Sequence, residues 1–331
     1  MLVTGGSSAS VHSAAPDTAT GGYMHLLEPL VEGACVEIRS AFTSSSDSTV
    51  LLAMDYSQVE MRVLAHCCGD AALIEVFNAA ARTTAGGGSD VYRRLASNVF
   101  RIPVDEVSAP QRSQAKTVAL GLVYGLGSQE LSRKLGVSGA QANEIQSVFM
   151  RTYPGIKRFM ASARSFAAKH GFVLTMSGRR RHLPDITSSH AGKRTYAERQ
   201  AVNSIIQGSA ADLIACAMVR LSASTAAARL EVQSGADAGA GNAEPRLESL
   251  ALSQSRLLLQ IHDELLAECP KDQALCQAYV RRLRRVMETE APALLQQVAA
   301  PARAQILAST SSKVTASDLC SILGATADMQ V

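Results

Sequence analysis

Apolar and polar positions follow recognisable periods along most of this chain, and the period changes at a few sharp points. Val50-Leu51-Leu52-Ala53-Met54 is a continuous apolar run that stops at Asp55, the pattern of a buried strand with a carboxylate at its end. Helical periodicity then runs from about Gln58 to Ala80, Gln111 to Leu135, Ala140 to Thr152 and Ile156 to His170. From Arg194 to Ala223 there is no proline, and polar residues recur at helical spacing among Ala and Ile, which predicts a further helix. Arg256 to Gln260 reads as a strand, Ile261-His262-Asp263-Glu264 as a turn, and Leu265 to Glu268 as the returning strand. The result is a hairpin with acids at its tip.

Three stretches break this patterning. The lead-in, 1–35, is rich in Ser, Ala, Gly and Thr without sustained periodicity. Arg82 to Ser89 contains three consecutive glycines and reads as a short insertion. Ser224 to Ser255 is a second low-complexity stretch and reads as a surface insertion of the same kind. No internal repeat of 20 to 50 residues is present. The remainder divides into 36–99, 100–195 and 196–331, with strands in the first and last parts and helical periods between them.

Composition narrows the class. At 331 residues and 47% hydrophobic, the chain can bury a full core. A net charge of only +3 does not by itself announce a nucleic-acid binder, so any basic surface must come from local clusters. Arg179, Arg180, Arg181 and His182 lead into Lys193, Arg194 and Arg199, while Arg281, Arg282, Arg284 and Arg285 form a second group. The plain alternative for either is a solvated helix face. The seven cysteines show neither a CxxC pair nor ligand-like spacing with histidine, so no disulfide framework or zinc site is indicated and a reducing compartment fits. No apolar run is long enough to span a bilayer, and the N-terminus lacks a signal-peptide pattern, so no membrane partner is expected.

Three sets of residues carry candidate chemistry. Asp55 and Asp263 each end an apolar strand, where a carboxylate must be paired, hydrogen-bonded or bound to a cation. They lie 208 positions apart, so only a fold that joins the two strands can use both. Two hard divalent cations held there and bridging phosphates would stabilise an in-line displacement, whereas either Asp alone could serve a turn or cap. Arg112, Lys116, Leu120 and Tyr124 recur every four residues and share one helix face, two cations followed by an apolar residue and a ring. That face could clamp a triphosphate and then meet a base, or be an ordinary amphipathic surface. Arg199, Asn203 and Gln207 form a third stripe at the same spacing, suited to minor-groove acceptors that differ little between base pairs, or simply to solvent.

Taken in order, these segments resemble the motifs of family A DNA polymerases. Asp55-Tyr56-Ser57-Gln58-Val59-Glu60-Met61-Arg62 is similar to the family's first motif. Arg112 to Lys116, continuing through Gly121-Leu122-Val123-Tyr124-Gly125, is similar to its fingers helix, and Gln260-Ile261-His262-Asp263-Glu264 to its last catalytic motif. Gly178-Arg179-Arg180-Arg181-His182-Leu183-Pro184 and Ala197 through Asp212 match further family segments, and their wording most resembles the polymerase half of the theta subfamily. The resemblance implies an α+β fold: a right-hand palm, an antiparallel sheet backed by helices, with an all-helical fingers insertion over 100–195 and a thumb missing or incomplete.

The resemblance also implies roles. Asp55 and Asp263, with the Tyr56 carbonyl, would hold two Mg²⁺ ions, Mn²⁺ substituting, with Glu264 close by. Ser57 and Gln58 would line the nucleotide site, and Glu60 would occupy the space of a ribose 2′-hydroxyl. Arg112 and Lys116 would bind the triphosphate, Lys116 protonating the leaving pyrophosphate, and Tyr124 would fill the templating-base space. Arg179, Arg199, Asn203, Gln207 and His262 would contact DNA. The expected partners are primer-template DNA and deoxynucleoside triphosphates, with an upstream helicase domain in a longer protein and a nuclear or organellar location. Leu120 departs from the family, which has Phe or Tyr there, and this implies altered nucleotide affinity or sugar selectivity. Competing readings are a non-catalytic DNA-binding remnant, an organellar replicative polymerase, and a single-subunit RNA polymerase, for which Glu60 is not expected.

Overall fold

The computed structural model describes residues 41–82, 90–234 and 243–299. Strand β1 (Thr49–Asp55) pairs antiparallel with β5 (Glu264–Pro270), which also pairs with β4 (Arg256–Ile261), giving the order β1-β5-β4. The central strand β5 is buried along Leu265–Pro270, as a strand flanked on both sides should be. The register sets Asp55 opposite Glu264, and the Tyr56 N–H donates to the Asp263 carbonyl at 3.1 Å. The first strand and the hairpin, far apart in the chain, thus end at one place. β4 is an edge strand among the described residues and leaves Leu258, Leu259 and Ile261 exposed.

The helical period from Gln58 to Ala80 resolves into two helices, α1 (Val59–Cys68) and α2 (Ala71–Arg82). The break has a local cause: Gly69 closes α1 in the left-handed region at φ 58°, and Asp70 then accepts from the Leu73 N–H to start α2. The other Asp70 oxygen accepts from the Gly155 N–H at 2.7 Å, an approach that a Cβ at Gly155 would block. After α3 (Val91–Phe100) comes α4 (Ala109–Val123), opened by a Ser108/Gln111 capping box. The predicted Gln111–Leu135 helix therefore also divides, with α5 (Ser128–Leu135) beginning beyond Gly125 and Gly127. Helices α6 (Gly139–Thr152) and α7 (Pro154–His170) follow the sequence periods closely.

Residues 100–195 are helical save for one short hairpin, β2 (Phe172–Leu174) with β3 (Arg180–His182), which the sequence periods did not mark. Gly171 and Gly178, both at positive φ, bracket its first strand and turn. Helix α8 (Ala191–Ser234) is longer than its sequence period predicts, and α9 (Ala243–Ser253) follows it. Most of the stretch read as a low-complexity insertion is therefore helical; its centre, 235–242, lies outside the described residues, as do the lead-in 1–35 and the glycine run at 83–89. Ala-rich, proline-free sequence looks simple by composition but has high helix propensity, and Ala228, Ala251 and Leu252 are buried where α8 and α9 pack together. By length and composition α8 could cross a bilayer, yet Ala201, Ile205, Ile206, Leu213 and Ala217 are buried within the core and α1, α7 and α9 cover it.

Helix α10 (Gln273–Arg285) continues through a π-helical turn, Val286–Glu290, into a last helix, α11, at 291–299. The arginines of α10 do not form a bare basic face. Arg282 pairs with Glu290 at 2.6 Å, Arg284 with Glu288 at 2.9 Å and Arg285 with Glu248 at 3.2 Å. Among the described cysteines Cys67, Cys68, Cys216, Cys269 and Cys276, no disulfide forms.

Candidate active site

Asp55, Asp263 and Glu264 meet where β1 and the β4–β5 hairpin end. His262 in the two-residue loop has φ 57°, a left-handed conformation that such loops usually assign to Gly or Asn. The main chain there is held in a costly shape at the point where the acids are displayed. Burial, then the nearby Asp263 and Glu264, push the Asp55 carboxyl above the usual carboxylate range. Crowded carboxyls of this kind are short of positive charge, which a bound cation would supply. Their hard oxygen donors suit Mg²⁺ or Mn²⁺. No three His, Cys, Asp or Glu side chains among the described residues converge tightly enough to enclose an ion, so the remaining positions fall to backbone oxygens, water and substrate.

A cleft of about 720 Å³ adjoins the acids. Gln58, Glu60, Lys116, Leu120, Tyr124, Gln207, His262 and Asp263 line it, so half of the residues singled out in the sequence share one cavity. Gln58, at φ 52°, opens α1 and turns the chain from β1 into the cleft wall. Burial, then the neighbouring Glu60 carboxylate, raise the Tyr124 pKa to about 12, so the end of α4 and the start of α1 face each other across the cleft. Asp55 borders a separate cavity of about 150 Å³ with Tyr56 and Ser57. Tyr56 is buried and its hydroxyl donates to the Met287 carbonyl at 3.0 Å, which anchors the backbone beside Asp55. The Ser57 hydroxyl donates to the Gln58 side-chain oxygen at 2.7 Å.

The face of α4 carries Lys116 exposed, Leu120 half-buried and Tyr124 exposed, as the four-residue spacing predicts. Arg112 lies at the far end and is not part of the cleft lining; its Nε donates to Asp90. Neither Asp90 nor Tyr92 stood out in the sequence, because both follow the glycine run and reach the site only through the packing of α3 against α4. Tyr92 lines the cleft, with the Lys116 ammonium 5.6 Å and the Arg112 guanidinium 6.0 Å from its ring centre.

Arg199, Asn203 and Gln207 do share a face of α8. Asn203 donates to the Tyr124 carbonyl at 3.2 Å, while its buried Oδ1 has no hydrogen-bond partner among the described residues. A Cβ on Gly125, at φ 64°, would lie 3.0 Å from Arg199 Cγ, so glycine there lets α4 close onto α8. Gln207 is exposed into the cleft. Arg179 sits elsewhere: it pairs with Asp212 at 2.8 Å and donates to the Gly208 carbonyl, tying the β2–β3 hairpin to α8. Its guanidinium is still 59% exposed, so that pairing does not remove it from the surface. Arg180 stacks on Phe172 at 5.0 Å.

This geometry has close counterparts. The DNA polymerase I of Bacillus caldotenax is 40% identical over 237 residues, 72% of this chain and 24% of that protein. The DNA polymerase I of Mycobacterium tuberculosis is 36% identical over 254 residues, 76% of this chain and 25% of its own length. The chain therefore spans about a quarter of the length of these relatives. Among solved structures, the POL domain of Pol1 from M. smegmatis, in complex with DNA primer-template and dNTP, superposes with a TM-score of 0.60 at 32% identity, covering 77% of this chain and 38% of that one. That likeness agrees with the palm-and-fingers fold expected from the motifs. The family described as DNA polymerase family A matches residues 29–310, and the chain belongs to that family.

Proposed function

We propose that this chain is the catalytic part of a template-directed DNA polymerase, adding deoxynucleotides to a primer 3′ end by two-metal phosphoryl transfer. The observation that carries the reading is the meeting of Asp55, Asp263 and Glu264 where β1 and the β4–β5 hairpin end, with Asp263 lining a cleft that Lys116 and Tyr124 also line. Acids on one side and a cation on the other suit a substrate that brings phosphates and divalent ions together.

Asp55, Asp263 and the Tyr56 carbonyl are the residues placed to hold Mg²⁺, which when bound supplies charge neutralisation at the attacking and leaving oxygens. Lys116 meets the triphosphate as a point charge and can hand a proton to the departing pyrophosphate, while Arg112 offers forked hydrogen bonds. Glu60, which lines the cleft with Tyr124, narrows the space beside the sugar and excludes a 2′-hydroxyl. Tyr124 holds the templating-base space, and Arg199, Asn203, Gln207, His262 and Arg179 are offered to primer and template. Chemistry of this kind rests on positioning and electrostatics. The theta-like wording of the Gly178–Pro184 segment, with an insertion before β4, supports a nuclear repair role as part of the same proposal.

Primer extension by this chain with Mg²⁺, with Asp263→Ala as control, tests the reading. Extension that falls by on the order of a thousandfold in the variant is expected, several kcal/mol of charge stabilisation being lost. Duplex binding without extension would instead make the chain a non-catalytic DNA-binding remnant.

A further inference from the structure

We propose that Asp90 is the positioning residue for Arg112, fixing the plane in which that guanidinium meets an anionic ligand. The inference rests on the reading of Arg112 as a triphosphate contact. Asp90 divides its two carboxylate oxygens between two helices. Oδ1 is the N-cap of α3, accepting from the Tyr92 N–H at 3.0 Å and the Arg93 N–H at 3.4 Å. Oδ2 accepts from Arg112 Nε on α4. A carboxylate committed to a helix start on one side cannot swing away, so the Nε bond holds the guanidinium in one orientation. Because the bond is made through Nε, the paired Nη groups, which form the fork that suits phosphate, are not spent on it.

Two further observations point the same way. Tyr92, two residues after Asp90, lies beneath both the Arg112 and the Lys116 cations, so the first turn of α3 is a floor under the basic face of α4. Burial opposes ionisation of Asp90, yet Arg112 and the capping N–H groups outweigh it and hold the carboxyl below the usual range. Side-chain exposures of 39% for Arg112 and 29% for Asp90 make this a pair of small value to stability. What it supplies is geometry.

The test uses Asp90→Asn, which keeps a capping oxygen of equal quality but loses the charge, and Asp90→Glu, which keeps the charge. The dissociation constant for dATP is measured on the full chain with Mg²⁺ and primer-template, alongside KM and kcat where extension occurs. Asp90→Asn is expected to weaken dATP binding on the order of fivefold, with kcat and the thermal midpoint near those of the parent and partial recovery in Asp90→Glu. In an Arg112→Ala background the same substitution should add nothing, because Asp90 acts through Arg112. Unchanged dATP binding in Asp90→Asn, or the full penalty persisting without Arg112, would overturn the inference. If Arg112→Ala itself leaves dATP binding unaltered, the reading of Arg112 is what fails.

Discussion

Asp55 shows how a single residue can be set against the fold that carries it. Burial and the neighbouring Asp263 and Glu264 raise its proton affinity, so it ionises less readily in the folded chain than in the unfolded one. A carboxyl with a raised folded pKa favours folding while protonated and disfavours it once the pH passes above that pKa. At neutral pH without divalent ions, Asp55→Asn is therefore expected to raise the midpoint of thermal unfolding while removing primer extension. A midpoint equal to or below that of the parent, measured in chelator, would contradict the assigned crowding. Both acids were readable from sequence because each terminates an apolar run. Asp90 and Tyr92 were not, since no local period sets them apart and their proximity to Arg112 and Lys116 exists only after α3 packs on α4.

At the scale of elements, periodicity located the helices and the hairpin but not their joints. Gly69 and the Gly125–Gly127 segment interrupt patterns that continue on either side, so one period became two helices twice. The opposite error arose at Ser224–Ser234, where Ala- and Ser-rich composition hid a continuous α8. Within α8, Gly208 has a reason beyond local preference. A Cβ there would lie 2.5 Å from Thr175 Cγ2, and the Arg179 guanidinium reaches the Gly208 carbonyl beside it. Thr175 is buried, and its hydroxyl is engaged with Ser177 and the Arg179 N–H, so it has little freedom to rotate aside. Gly208→Ala should gain up to about 1 kcal/mol of helix propensity and lose about 1–3 kcal/mol to overpacking. Net destabilisation in urea unfolding is expected; a stabilised variant would mean that the hairpin yields easily and does not clamp the helix.

For the whole molecule, the sheet that displays the acids is also the place where distant parts of the chain are joined, and one side chain does much of the joining. Glu268, buried on β5, accepts from the Ser45 N–H, from the Thr49 hydroxyl at 2.8 Å and from Arg256 Nε at 2.7 Å, reaching the lead-in to β1, β1 itself and β4. The backbone and side-chain bonds from Ser45 and Thr49, with Arg256 behind them, hold its pKa at about 2. The sign is that of a depressed carboxylate: its contribution is present above the unfolded pKa of roughly 4.3 and is lost as the pH falls toward about 2. Unfolding midpoints in urea should accordingly drop across that window in the parent chain. Glu268→Gln removes the ionisable group, so its midpoint should be lower near pH 6, and the gap to the parent should close on acidification. Asp55, whose shift has the opposite sign, is common to both proteins and cancels in the comparison. Two curves that stay parallel from pH 6 to pH 2 would show that charge on Glu268 does not hold the three strands together, and that the acids are displayed by backbone pairing alone.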